Sequence, residues 1–357
     1  MAMLKGEVIN GYKILKDFVV AGGMSKVTFA EKGGKEYFIK EFLSPKYPLS
    51  DSPGSEKVKA QRRKACEEFE KHHRELNKKI ATKVSLGGNL VFAVDFFRSG
   101  TCYYKVTEKI DTASLTCEEI SHLPIDKILL IAKSVCHSIR ILHDLNIVHG
   151  DLKPDNILIK KTSLGFSGKL IDFDDSYFSG NPPTDRECLV GTPEYYSPEQ
   201  AAYIMDEDGE IAGSTLTLKS DIFTLGIILT EYFTGRKPIL PEEYGSTWVC
   251  VENSKTFSFG IIMSDKLESL IRSMLSKKPS DRPSINDVFE ILKTLKESDV
   301  KTKSSSTPEK PIDEAVPTLK KVELRSTFKD KKPIEKKTDK EGAELKSSLR
   351  SKTWKVS

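Results

Sequence analysis

His149-Gly150-Asp151-Leu152-Lys153-Pro154-Asp155-Asn156-Ile157-Leu158-Ile159 sets a carboxylate, an ammonium and an amide at fixed offsets ahead of an apolar strand. These are the groups that phosphoryl transfer needs. Asp151 can accept a hydroxyl proton, Lys153 can neutralise charge on a transferring phosphate, and Asn156 can hold a metal ion.

Working outward, the stretch resembles the catalytic loop of protein kinases, His-Arg-Asp-Leu-Lys-Pro-x-Asn, with Gly150 in place of the arginine. A lysine two places after the aspartate is the serine/threonine form. Leu170-Ile171-Asp172-Phe173-Asp174 resembles the metal-binding Asp-Phe-Gly, with Asp174 where glycine is usual. Gly191-Thr192-Pro193-Glu194-Tyr195-Tyr196-Ser197-Pro198-Glu199 resembles the Gly-Thr-x-x-Tyr-x-x-Pro-Glu end of an activation segment. Three motifs in this order are similar to the eukaryotic-type serine/threonine protein kinase family over about residues 10–298. Gly22-Gly23-Met24 and the compact motifs look similar to bacterial members. The resemblance implies an α+β, bilobal fold: a small β-rich N-lobe over about 10–108 and a larger helical C-lobe over about 111–298.

At 357 residues and 38% hydrophobic content the chain can bury a sizeable core. The formal charge of +4 is uneven: residues 301–357 carry 16 Lys/Arg against 9 Asp/Glu, so the rest of the chain is acidic. Residues 300–357 show no apolar period and are rich in Lys, Ser, Thr, Pro and Glu, the composition of a disordered basic tail. Its end, with Ser347, Ser348, Ser351, Thr353 and Trp354 among basic residues, is a candidate for docking a partner or for autophosphorylation, and equally for simple solubilisation. Cys66, Cys102, Cys117, Cys136, Cys188 and Cys250 are scattered, so neither zinc ligation nor a disulfide framework is expected. No apolar run reaches the ~20 residues of a membrane span, and no leader or specific nucleic-acid signal is evident. A cytoplasmic location follows as the expectation.

Before the catalytic motifs, Tyr12–Leu15, Val27–Ala30 and Tyr37–Lys40 read as strands broken by glycine pairs. By resemblance, Val20, Gly22, Gly23 and Val27 cover the phosphates of ATP, with Val20 and Ser25 at two usual glycine positions. By resemblance Lys40 is the expected phosphate-gripping lysine, its spacing from Val27 and its apolar strand setting it apart from the other lysines. Phe38 replaces the small residue usually found above adenine and is expected to narrow that pocket. Residues 56–81 read as a charged helix marked by Val58, Ala65, Phe69, Leu76 and Ile80. Its glutamate should pair with Lys40; Glu67, Glu68, Glu70 and Glu75 compete, and Glu70 is chosen. His72-His73 reads as surface or packing rather than a metal site.

Leu90–Phe97 and Cys102–Thr107 read as two further strands, completing five. Thr107-Glu108-Lys109-Ile110 resembles the gatekeeper and hinge, so Glu108 and Ile110 are placed at the adenine edge with Leu158 on the nucleotide side. Pro124–Leu145 has helical apolar spacing, and Ile222–Thr230 reads as a buried helix. His149 is expected to pack beneath Phe173. By resemblance, Asp221 holds catalytic-loop amides and Arg282 pairs with Glu199.

The implied activity is transfer of the γ-phosphoryl group of ATP to a protein Ser or Thr hydroxyl. Asp172 and Asn156 hold Mg²⁺ or Mn²⁺, and Thr192 bridges Asp151 and Lys153. Rivals are a pseudokinase acting as a binding module, suggested by Phe38, Val20, Ser25 and Asp174, and a small-molecule phosphotransferase. With Gly150 at the arginine position and Arg186 the only basic side chain between Asp172 and Glu199, activity should not depend on a phosphate in that segment. Asp174 and Asp175 are expected to act there as fixed negative charges.

Overall fold

Seven short antiparallel strands build the first part of the chain: β1 Val8–Ile9, β2 Tyr12–Ile14, β3 Val19–Ala21, β4 Ser25–Lys32, β5 Lys35–Phe42, β6 Ala93–Ser99 and β7 Cys102–Glu108. The computed structural model describes residues 4–21, 25–84, 89–110, 114–163, 165–183, 186, 189, 191–261 and 263–296. The strand order is β1-β2-β4-β5-β7-β6, with β3 folded onto β4. β1 and β3 add to the five strands expected. Gly33 and Gly34, at φ 62° and 76°, form the two-residue loop between Lys32 and Lys35, where both central residues must adopt positive φ.

Register then sorts the side chains. Directly opposed residues share a face, so Val27, Phe29, Phe38, Lys40, Lys105 and Thr107 lie on one side of the sheet. Ile14, Ala30, Ile39, Tyr104 and Val106 lie on the other and form a core with Ile9 and Tyr12. The 29-residue helix α1, Glu56–Val84, packs on the Lys40 side through Cys66, Phe69, His73, Leu76 and Ile80. Here the expected stripe needs correction. Phe69, Leu76 and Ile80 pack as expected, but Val58 and Ala65 are exposed, and Cys66, next to Ala65, is the fully buried residue that fits Phe42, Phe96 and Tyr103.

The larger part is helical: α2 Cys117–Ser121, α3 Ile125–Asp144, α4 Pro198–Met205, α5 Leu218–Thr234, α6 Thr247–Glu252, α7 Asp265–Met274 and α8 Ile285–Thr294. β8 Ile147–Val148 pairs with β11 Tyr177–Phe178, and β9 Ile157–Thr162 pairs with β10 Gly165–Leu170. This is the bilobal α+β arrangement expected. Ser220 through Phe233 of α5 are all buried, so that helix is the centre of the core. Its polar residues are satisfied internally; Thr230 Oγ1 donates to Gly226 O at 2.9 Å and Thr224 Oγ1 to Tyr195 O at 2.8 Å. Among the described residues no helix is long and apolar enough to cross a membrane. The disordered tail expected over residues 300–357, and the expectations for Gly22 and Gly23, lie outside the described residues.

Arg282, whose side chain is 0% exposed, donates to both oxygens of Glu199 at 2.7 and 2.8 Å and reaches the carbonyls of Ser276, Lys219 and Lys277. The expected pair is therefore a five-bond clamp joining α4, α5 and the turn before α8. Arg282→Met leaves Glu199 as an uncompensated buried charge, and the expected loss is about 3–5 kcal/mol in urea unfolding. A loss below about 1 kcal/mol would show that water reaches the carboxylate.

Candidate active site

β8 leads into the loop at residues 149–156, which is suspended from the core by one carboxylate. Asp221 Oδ2 accepts the His149 amide at 2.9 Å and lies 3.0 Å from His143 Nε2. The His149 ring tilts against Phe173 with 5.3 Å between centroids, and its carbonyl accepts the Ser176 hydroxyl at 2.8 Å. His149 is thus the packing element expected from sequence. Gly150 sits at φ 83°, and a Cβ there would lie 2.1 Å from the Asp175 carbonyl oxygen. Close approach of the segment that follows Asp174 leaves no room for arginine, which accounts for the departure noted in the motif.

The next turn gathers the expected chemistry. Lys153 Nζ donates to Asp151 Oδ2 at 2.7 Å and to Thr192 Oγ1 at 2.8 Å, while Thr192 Oγ1 donates to Asp151 Oδ1 at 2.8 Å. Asn156 Nδ2 donates to the Asp151 carbonyl at 2.7 Å and to Oδ2 at 3.1 Å. Its side-chain oxygen is left for a cation. Ile171 N donates to Asn156 O at 3.0 Å, which seats Asp172 beside Asn156. Asp172 adopts φ 59°, a conformation a non-glycine residue keeps only where the surroundings impose it. One charged and one neutral oxygen donor, with Asp172 35% exposed, suit Mg²⁺ or Mn²⁺, which keeps waters and takes further ligands from phosphate oxygens.

Across from these residues, Lys40 Nζ lies 2.9 Å from Asp172 Oδ2 and 2.5 Å from Asp174 Oδ2. Lys105 meets the same two carboxylates, Asp172 at 3.3 Å and Asp174 at a direct contact. Lys105 is the residue that sequence reading passed over. Its signal was there: it interrupts Cys102-Tyr103-Tyr104-Lys105-Val106, an apolar strand like that of Lys40, and is the register partner of Lys40. Burial alone would lower the Lys40 pKa, but Asp174 and Asp172 outweigh it and raise it. Burial would raise Asp174, and Lys105 and Lys40 outweigh that, holding it well below the carboxylate range. Burial, with Asp174, Asp151 and Asp172 nearby, pushes Asp175 up to about 7. Of the two expected fixed charges, Asp174 stays ionised at neutral pH, while Asp175 titrates there.

Glu70 does not reach Lys40. It binds Arg74 at 2.8 and 3.0 Å on the solvent side of α1, one turn along the same helix. Glu67, Glu68 and Glu75 are exposed. The side chain that α1 turns toward the lysines is His73, 7% exposed and packed among Phe42, Phe69 and Phe96. Burial first, then Lys105, His72 and Lys40, hold it well below its ordinary pKa, so it is neutral. His72 points instead to Ser176 O at 2.9 Å, and both histidines are packing elements as expected.

Where the resemblance implies the nucleotide, Phe38 packs edge-on to Phe29 at 5.8 Å and opposes Thr107 in register. Val20 is 67% exposed on β3, opposite Lys26, with Val27 on the Lys40 face of β4. Ser25, at a usual glycine position, donates its hydroxyl to Ala21 O at 3.0 Å and closes the β3–β4 turn. Glu108 is exposed, Ile110 and Leu158 half-buried. Arg186 donates to the carbonyls of Tyr203, Asp206 and Ile211 and to the Asp206 carboxylate at 2.6 Å.

A family model described as the protein kinase domain matches residues 55–292. The chain is 31% identical over 206 residues to the ovarian-specific serine/threonine-protein kinase Lok of Drosophila melanogaster, covering 57% of this chain and 39% of that protein. It is 30% identical over 207 residues to mitogen-activated protein kinase kinase 1 of Arabidopsis thaliana, covering 54% and 55%. Against the serine/threonine-protein kinase Pkn1 of Myxococcus xanthus it is 30% identical over 200 residues, covering 54% and 27%. The chain thus spans between a quarter and about half of the length of these relatives.

Gly150→Ala forces a Cβ into the Asp175 carbonyl and a side chain into positive φ. The expected cost is about 2 kcal/mol or more, read as a lower midpoint in denaturant unfolding. An unchanged midpoint would mean that the 174–176 segment moves aside freely.

Proposed function

Because the chain belongs to the protein kinase domain family, we propose that residues 10–298 form an ATP-dependent serine/threonine kinase that transfers the γ-phosphoryl group to a protein hydroxyl. The observation that carries this reading is the triangle of Asp151, Lys153 and Thr192, closed by three contacts of 2.7–2.8 Å. Asp151 orients the incoming hydroxyl and accepts its proton, held in place by Thr192 and Asn156. Lys153 lies against the same carboxylate and neutralises charge developing on the transferred group. Lys40 grips the nucleotide phosphates, and Phe38, Thr107, Glu108, Ile110 and Leu158 border the base. Asp172 and Asn156 hold the divalent cation, which when bound supplies charge neutralisation and alignment of the phosphates. Most of the rate enhancement then comes from positioning.

A cytoplasmic setting is part of the proposal, supported by free thiols at Cys66, Cys102, Cys117, Cys136 and Cys250. The pseudokinase reading has less behind it, since Lys40, Asp151, Asn156 and Asp172 converge and Ser25 is explained by the turn it closes.

With labelled ATP and a peptide substrate, Lys40→Ala, Asp151→Asn and Asp172→Ala are each expected to lower turnover at least about a hundredfold, and Lys40→Ala and Asp172→Ala, which unbalance the buried group of two lysines and two aspartates, to lower the unfolding midpoint as well. The label should appear on serine or threonine. Wild-type turnover in Asp172→Ala would remove the metal assignment, and label on tyrosine alone would remove the specificity.

Activity does not depend on a phosphate in the segment between Asp172 and Glu199. Arg186 has its guanidinium committed to the 203–211 segment, and Ser176 is 0% exposed, so neither can serve a phosphate switch without unpacking. Phosphatase treatment of the purified protein is expected to leave the initial rate on an exogenous peptide unchanged. A fall of tenfold or more would overturn this.

A further inference from the structure

The sheet carries two lysines side by side. Lys40 on β5 and Lys105 on β7 are direct register partners on the face that looks toward the metal-binding segment. Like charges directly opposed across two strands repel, and both ammonium groups are largely buried, 15% and 11% exposed. Such an arrangement persists only with carboxylates of matching number. Two are supplied, and both come from the same three residues, Asp172-Phe173-Asp174.

The two carboxylates differ. Asp172 is 35% exposed, adjacent to Asn156, and committed by the proposed function to the cation. Asp174 is 12% exposed and faces only the lysines: Oδ2 lies 2.5 Å from Lys40 Nζ and Oδ1 contacts Lys105 Nζ. With Asp172 as a residue that would hold the cation, Asp174 is the counter-ion left to Lys40. Helix α1 offers no alternative, because Glu70 is held by Arg74 and the residue over the lysines is His73, in an aromatic box.

We propose that Asp174 is the positioning residue for Lys40, anchored through Lys105, and that it performs from the metal-binding segment the part the sequence assigned to a glutamate of α1. The orientation of the phosphate-gripping lysine is then tied to the Asp172–Asp174 segment and not to the placement of α1. The unusual aspartate of the motif and the unusual lysine of β7 form one device. It also gives an activity-preserving reason for the residue that suggested a pseudokinase. The inference rests on the proposed role of Lys40 in holding the nucleotide.

The test is steady-state kinetics on the full chain with ATP and peptide varied separately, using wild type, Asp174→Asn, Asp174→Glu, Lys105→Met, the Lys105→Met/Asp174→Asn double variant and Glu70→Ala, with Asp151→Asn as the dead control. Asp174→Asn is expected to lose about a hundredfold in kcat/KM for ATP while KM for peptide stays within twofold, and Asp174→Glu to recover part of the loss. A purely structural role would not separate the two substrates in this way. Lys105→Met should lower kcat/KM for ATP in the same direction, and the double variant should lose no more than Asp174→Asn alone, since the two act as one unit. If Asp174→Asn fails to fold with two buried ammonium groups facing one carboxylate, the double variant, which restores charge balance, carries the test with the same expected loss. Wild-type kcat/KM for ATP in Asp174→Asn or in the double variant, or a loss in Glu70→Ala as large as that in Asp174→Asn, would overturn the proposal. Full turnover in Asp151→Asn would instead strike the proposed function, so the two failures are distinguishable.

Discussion

The Asp221 carboxylate, 2% exposed inside α5, is the constraint from which the catalytic geometry hangs. A buried carboxylate must find donors, and Asp221 finds the His149 amide and the His143 ring. That fixes where β8 ends and where the next residue must turn. Gly150 makes the turn at positive φ, its carbonyl taken by Gln200 Nε2 at 2.8 Å, and Asp151 emerges facing Thr192. Each step leaves the chain one conformational choice, so a loop without regular structure acquires the rigidity that positioning chemistry requires.

Charge balance does for the sheet what Asp221 does for the loop. Lys40 and Lys105 cannot stand together in a largely dry site without Asp172 and Asp174, and those aspartates belong to the segment tethered to Asn156 through Ile171. The sheet is therefore registered against the catalytic loop by ion pairs as well as by the apolar contacts of Leu76, Ile80 and Leu90 with the helical core. Partly buried pairs of this kind are screened far less by salt than the solvent-exposed ones along α1.

Most of the architecture was legible because it rests on local patterns. The apolar positions of α3, the buried run in α5 and the strands around Gly33-Gly34 follow from periodicity and turn chemistry, and the structure has them. The Asp151, Lys153 and Asn156 cluster was also legible, since fixed spacing within one loop leaves little freedom, and Thr192, in a separate segment, was placed by the resemblance of its own motif. The failures are long-range. Nothing in the spacing of Glu67, Glu68, Glu70 and Glu75 says that the helix face toward Lys40 carries none of them; that depends on which side chains pack beneath Tyr103 and Phe42, where Cys66 takes the place expected of Ala65. Lys105 was missed because its meaning comes from lying opposite Lys40, a consequence of strand order that a linear reading does not contain.

The activation segment completes the same logic. An added phosphate orders a segment by bringing charge to a waiting cation, and the described part of this segment has no waiting cation: its single arginine, Arg186, is spent on Asp206 and three carbonyls beside Tyr203. Tyr177, Leu189, Tyr203 and Leu216 add an apolar cluster around Val148, so the segment is fastened directly to the strand that leads into the catalytic loop. Residues 203–211 thus hold Arg186 by hydrogen bonds, while Tyr203 and Leu216 hold Tyr177 and Leu189 by packing. Gly150 fits this arrangement from the other side, because the space an arginine would need is filled by the backbone of Asp175.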